Sequence, residues 1–184
     1  RGTYFDRNVN IISWSNDYEI HVGKYCSIGR DCNFFLHANH RPDWITTSSQ
    51  LWGPVTPEVA KLHMEMGHPS CKGDIIVGND VWIGEEVWID NLAKVQIGNN
   101  VCISQGAMLL CGNHNFSKSN FDLITGTIIL EDGVWIGARS VVCPHVTCHS
   151  HSVLSVNSTA TKDLEPYSIY QGTPAVKIRD RIIT

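Results

Sequence analysis

The sequence predicts an all-β protein, a parallel solenoid of short strands and tight corners. Three observations predict it. Apolar residues recur every six positions along most of the chain, glycine often follows them, and two long segments interrupt the pattern. A helix face would repeat near 3.6 residues and a half-buried strand at 2. Six residues hold one short strand and one turn. Three such units close a triangular coil, and each coil stacks its backbone hydrogen bonds on the next.

The first run is Val22, Ile28 and Phe34, with Gly23 and Gly29 behind the first two. The second is Val77, Ile83 and Ile89, with Gly78 and Gly84. A slip of two residues precedes the third, Ile97, Ile103 and Leu109, with Gly98. The fourth is the longest: Leu130, Ile136, Val142, Cys148, Leu154 and Ala160. The residue heading each unit is expected to point into the prism. Gly23, Gly29, Gly78, Gly84, Gly98 and Gly137 are expected at corners, where glycine permits positive φ.

The chain reads as one domain over residues 1–184 with two protruding loops and a short C-terminal extension. One loop runs from about 37 to 75 and carries Pro42, Pro54, Pro57, Pro69 and a short amphipathic stretch, EVAKLHMEM, that predicts one helix. The other runs from about 112 to 126, GNHNFSKSNFDLITG. Long loops in compact domains usually carry function. Both hold histidine and aromatic residues rather than a low-complexity composition. The segment 163–184 leaves the repeat as an extended stretch, a Gly-Thr-Pro turn and a basic tail.

Composition excludes several classes. The net charge of −4 gives no electrostatic case for nucleic acid or an anionic membrane. No apolar run reaches the length of about 18 residues that a spanning helix needs. The first residues, RGTYFDRNVN, lack the apolar core of a signal peptide. Charged residues make up 17%, below the usual quarter, which suits a large buried surface or an oligomer. Seven cysteines occur without a CxxC pair, several inside apolar runs. They read as small buried hydrophobes in a reducing cytoplasm. His145, His149 and His151 have a spacing seen among metal ligands. In six-residue units they fall on different corners, so no metal is expected.

The stretches IVGNDVWIGEEVWID, LEDGVWIGARSVV and TKDLEPYSIYQGTPAVKIRDR resemble hexapeptide-repeat acetyltransferases. From Val77 onward, CISQGAMLLCGNHNFSKSNFDLI included, the chain is most similar to polysaccharide O-acetyltransferases of the colanic-acid type. From about Tyr18 to Gly84 it resembles the xenobiotic, or chloramphenicol-type, acetyltransferases, notably in HVGKYCSIG, HANHRPDW and KGDIIVGNDVWIG. The resemblance implies a left-handed parallel β-helix and a homotrimer with active sites between neighbouring subunits. It also implies acetyl-CoA as co-substrate along the C-terminal coils and a loop histidine as general base. Parallel crossovers are generally right-handed, so the left hand comes from the resemblance alone. Family members usually carry glycine where His145 and Asn157 stand, and asparagine where Thr173 stands. These are turn positions, so the departures bear on corner geometry.

Transfer of an acetyl group to a hydroxyl needs few parts. The hydroxyl must lose a proton as it attacks the thioester, and the thiolate must regain one. A single imidazole performs both steps. His114, in Cys111-Gly112-Asn113-His114-Asn115, is the first choice, because it sits where the repeat pauses and resembles the family's loop histidine. At about 18 residues per coil, it lies about two and a half coils before Lys162. His40, in Asn39-His40-Arg41-Pro42-Asp43-Trp44, is the rival base, or else shapes the acceptor pocket. Asn113 and Asp122 are candidates to orient His114 or to bind acceptor hydroxyls. By resemblance, Thr161 and Lys162 match contacts to the adenine end of CoA, and Gly137 and Ala138 match the corner beside pantetheine. Lys177 and Arg179 are candidates for its phosphates. Trp82 and Trp135 occupy equivalent positions, as outward stacking partners or as plain face residues.

The expected function is acetyl-CoA-dependent O-acetylation of a sugar hydroxyl. The alternatives are N-acetylation of a nucleotide-linked amino sugar, acetylation of a drug, and, less favoured, a β-helical scaffold without chemistry.

Overall fold

The computed structural model describes residues 2–13, 18–36 and 73–184. The described residues form successive triangular coils. The first holds β1 (Tyr4–Phe5), β2 (Asn10–Ser13) and β3 (Ile20–Val22). The second holds β4 (Ser27–Ile28), β5 (Asn33–Leu36) and β6 (Ile75–Val77), and the third β7 (Trp82–Ile83), β8 (Trp88–Asp90) and β9 (Val95–Ile97). In the fourth, β10 (Cys102–Ile103) and β11 (Met108–Leu109) lead into a hairpin of β12 (Gly112–His114) and β13 (Leu123–Thr125) before β14 (Ile128–Leu130). The fifth holds β15 (Trp135–Ile136), β16 (Val141–Val142) and β17 (Thr147–Cys148). The sixth holds β18 (Val153–Leu154) and β19 (Thr159–Ala160), and a parallel bridge from Leu164 to Cys148 closes it. The chain ends in β20 (Ser168–Gly172) and β21 (Ala175–Asp180).

Strands of like position stack into three faces. Face 1 orders β1, β4, β7, β10, β15, β18 and β20 in parallel, with β21 antiparallel on its edge. Face 2 orders β2, β5, β8, β11, β16 and β19, and face 3 orders β3, β6, β9, β14 and β17. The six-residue repeat is therefore a register. Ile28, Ile83, Ile103, Ile136 and Leu154 stack on face 1, all fully buried. Phe34, Ile89, Leu109, Val142 and Ala160 do so on face 2. Val22, Val77, Ile97, Leu130 and Cys148 complete the core on face 3. Burying one such aliphatic side chain stabilises the fold by about 1.5–3 kcal/mol.

The corner glycines behave otherwise than expected. Gly23, Gly29, Gly78, Gly84, Gly98 and Gly137 are absent from the residues with positive φ. They are small because the next coil passes over them: a Cβ on Gly137 would lie 2.5 Å from the Val156 backbone nitrogen, and one on Gly84 2.7 Å from that of Gln105. Positive φ falls two residues later, on Tyr25, Asp31, Asp80, Glu86, Asn100 and Arg139. His145 and Asn157, where the family carries glycine, take the same conformation at φ 67° and 54°. Asn and His are among the non-glycine residues that enter this region most readily. Thr173 follows the Gly172 turn, and its hydroxyl lies 3.3 Å from that of Thr159.

Side chains also tie the coils at the corner between faces 3 and 1. The Asn79 side chain accepts the Lys24 amide at 2.9 Å, Asn99 accepts that of Asn79 at 3.0 Å, and Asp132 accepts that of Asn99 at 2.7 Å. The corner between faces 2 and 3 is different. There Ile89 and Ile97 are separated by two extra residues, Leu109 and Leu130 by the hairpin, and Phe34 and Val77 by the longest interruption. At the other two corners every stacked pair from Val22 onward keeps the spacing of six. The expected helix at EVAKLHMEM lies outside the described residues, and none of those is helical. No helix among them is long and apolar enough to cross a membrane.

Candidate active site

The hairpin β12–β13 projects from the corner between faces 2 and 3. Its root is fixed at both ends. The Asp90 carboxylate, at the end of β8 one coil below, accepts the Cys111 amide at 2.6 Å. Burial pushes the Asp90 pKa above the ordinary aspartate value, and the hydrogen bond from Cys111 opposes this. The Gly126 amide donates to the Cys111 carbonyl at 2.9 Å, and Gly126 packs against His145 with no room for a Cβ. Leu92 packs against Gly112 in the same way.

At the tip, the Asn115 amide donates to the Asp122 carbonyl at 2.8 Å and the Phe121 amide to the Lys118 carbonyl at 3.1 Å. His114 Nδ1 lies 2.9 Å from the Phe121 carbonyl oxygen. A carbonyl can only accept, so Nδ1 carries the proton. In the neutral ring Nε2 is then the unprotonated nitrogen, and it has no hydrogen-bond partner among the described residues. The Phe121 ring stacks on the imidazole at 4.4 Å with the planes 10° apart. Asn113 is exposed, and its side-chain oxygen accepts the His114 amide at 2.8 Å. The Asp122 carboxylate pairs with Lys118 at 3.3 Å. The contact on the imidazole thus comes from Phe121, while Asn113 touches the His114 backbone and Asp122 holds Lys118. His40 lies outside the described residues.

A groove of about 600 Å³ runs along face 1 and its corner with face 2, over the last three coils. Trp135, Val153, Val156 and Ile169 give it apolar walls, and Gly137, Ala138 and Arg179 line it as well. The Trp135 indole N–H donates to Ser104 Oγ at 3.0 Å, which fixes the ring. Among the polar and charged lining residues, Ser104, Gln105, Ser155 and Arg181 were not singled out from sequence. The first two had a signal, since they occupy the corner one coil before Gly137 and Ala138. Arg181 had none beyond its basic surroundings. Its guanidinium donates to the Gly133 and His151 carbonyls, both at 3.0 Å.

The remaining residues sort by corner. Thr161 and Lys162 are exposed and follow β19, at the same corner as the hairpin. They lie two coils past His114 rather than two and a half, because the hairpin absorbs the extra residues. Lys177 does not line the groove. It pairs with Glu165 and Asp180, each at 2.9 Å, and these carboxylates hold its pKa above the ordinary lysine value. Trp82 stands on face 1 two coils below Trp135, outside the groove. Of the three spaced histidines, His149 is engaged by Glu131 at 3.0 Å and His151 by the Tyr167 ring at 4.8 Å. His145 stands at another corner.

No family model matches the chain. It is similar to a probable macrolide acetyltransferase of Lysinibacillus sphaericus, 30% identical over 166 residues, covering 87% of this chain and 59% of the relative. It is also similar to the putative colanic acid biosynthesis acetyltransferase WcaF of Escherichia coli K12, 29% identical over 110 residues and 60% of each chain. A hexapeptide-repeat acetyltransferase of Vibrio cholerae superposes with a TM-score of 0.56 at 28% identity, over 59% of this chain and 64% of that one. Its homologues are acetyltransferases. The fold is their left-handed hexapeptide-repeat β-helix. The chain spans about three fifths of the length of these two curated relatives.

Proposed function

We propose that this chain is an acetyl-CoA-dependent O-acetyltransferase that acylates a sugar hydroxyl of a polysaccharide or its precursor, with His114 as general base. The observation that carries the reading is the His114 geometry: a ring held through Nδ1, with Nε2 unpartnered among the described residues, on a hairpin that breaks the repeat. Nε2 takes the acceptor's proton as its oxygen attacks the thioester carbonyl. The C–S bond breaks, and the imidazolium returns the proton to the leaving thiolate.

Acetyl-CoA suits the groove. The apolar walls match pantetheine, and Arg179 and Arg181 in the lining match phosphates. A crystal structure of the Vibrio cholerae neighbour holds acetyl-CoA. Within one chain, however, His114 and the groove occupy different corners of the prism. The reading therefore joins the hairpin corner of one subunit to the groove of the next, in a homotrimer. Thr161 and Lys162 share the hairpin's corner, about 10 Å further along at about 4.8 Å per coil. They would meet the adenine end of the same molecule. The thiols of Cys26, Cys32, Cys102, Cys143 and Cys148 fit a reducing cytoplasm.

A second reading is a drug acceptor. The macrolide acetyltransferase relative matches 87% of this chain, the colanic acid relative 60%. Thiol release from acetyl-CoA, followed with a panel of monosaccharides, galactosides, chloramphenicol and macrolides, separates the two. Replacement His114→Ala is expected to cut turnover by about 10²–10⁴. Near-normal turnover by that variant would overturn the assignment of the base.

A further inference from the structure

We propose that Phe121 is the positioning residue for His114, holding the imidazole through its carbonyl and its ring at once. The inference rests on His114 being the base. Two contacts converge from this one residue. The carbonyl accepts Nδ1–H at 2.9 Å, and the ring lies flat on the imidazole at 4.4 Å. The first selects the tautomer and the second fixes the ring plane. The Nε2 lone pair lies in that plane, so a partner stacked on the π-face leaves it open.

The backbone supports the assignment. Phe121 has φ 51°, an uncommon conformation for a bulky residue. Hydrogen bonds on both sides hold it there, from its own amide to Lys118 and from Asn115 to the Asp122 carbonyl. The side chain is 51% exposed, so burial does not account for an aromatic residue at this tip. Its ring contact is with His114.

The test compares Phe121→Tyr, Phe121→Asn and Phe121→Ala with His114→Ala in the full chain. Nitrogen-15 histidine spectra report the His114 tautomer without any acceptor. Thiol release from acetyl-CoA reports kcat and KM with whichever acceptor of the panel turns over. Tyr keeps both contacts and should restore wild-type behaviour. Asn tolerates the left-handed backbone, so it should keep the Nδ1–H tautomer but lower kcat about tenfold through lost orientation. Ala loses the ring and disfavours that backbone, so it should mix the tautomers and lower kcat by about a hundredfold. KM for acetyl-CoA should stay within about twofold throughout, as expected for an orientation effect. A wild-type His114 spectrum in Phe121→Ala overturns the inference. So does a kcat loss that follows only the fraction folded, or a loss in Phe121→Tyr as deep as in Phe121→Ala. Activity in His114→Ala instead overturns the base assignment, and the spectra still decide whether Phe121 holds the ring.

Discussion

Glu131 shows how a single residue ties two coils. Its carboxylate accepts the Ser150 hydroxyl and amide, both at 2.7 Å, and His149 Nδ1 at 3.0 Å. The Ser150 hydroxyl is the largest influence holding its pKa below the ordinary 4.5. The folded protein then binds fewer protons here than the unfolded chain near that pH. The stabilisation is complete above 4.5 and is lost as the pH falls through the lower folded value. Thermal melts from pH 7 to 3 should show the loss beginning near 4.5, and Glu131→Gln should flatten that limb. An unchanged limb in the variant would remove Glu131 from the account. Residue-scale roles of this kind were only partly readable from sequence. His114 stood out because it interrupts a repeat. Phe121, seven positions later, did not, because its contact exists only once the hairpin has closed.

Among the elements, the coil strands were readable and the hairpin was not. A two-residue strand such as β15 carries almost no pattern of its own. Its register with β10 and β18 repeats one buried side chain up the whole face, and that repetition is what the period of six records. The pair β12–β13 has no such repetition. Its arms are held by the root, where Asp90 meets the Cys111 amide. Asp90→Ala should leave that buried amide unpaired, at a cost of about 1–3 kcal/mol. Amide exchange at Cys111 should quicken and turnover should fall, whereas Asp90→Asn, which keeps an acceptor oxygen, should retain most of both. Equal exchange in the wild-type and alanine proteins would mean that the root is held elsewhere. The tail was read as an extended stretch and a turn. Its pairing along the edge of face 1 emerged from the structure, since exposed strands show little apolar alternation.

For the whole molecule, the decisive geometry is that His114, the proposed base, and the groove stand at different corners. The proposed site therefore needs two chains, and subunit mixing tests it. His114→Ala and Ala138→Trp, the second chosen to fill the groove, should each be inactive alone. Refolded together, they should regain a measurable fraction of wild-type turnover, because some interfaces unite an intact hairpin with an intact groove. Mixtures as inactive as either parent would place the whole site in one subunit. The uneven corner between faces 2 and 3 has a wider consequence. The other two corners must match coil against coil, so one inserted residue there would throw every later side chain out of the core. At this corner a segment can lengthen, shorten or be exchanged without disturbing the stack. The solenoid thus behaves as a chassis with one open socket, and grafting loops between relatives at that corner is the natural route to a new acceptor.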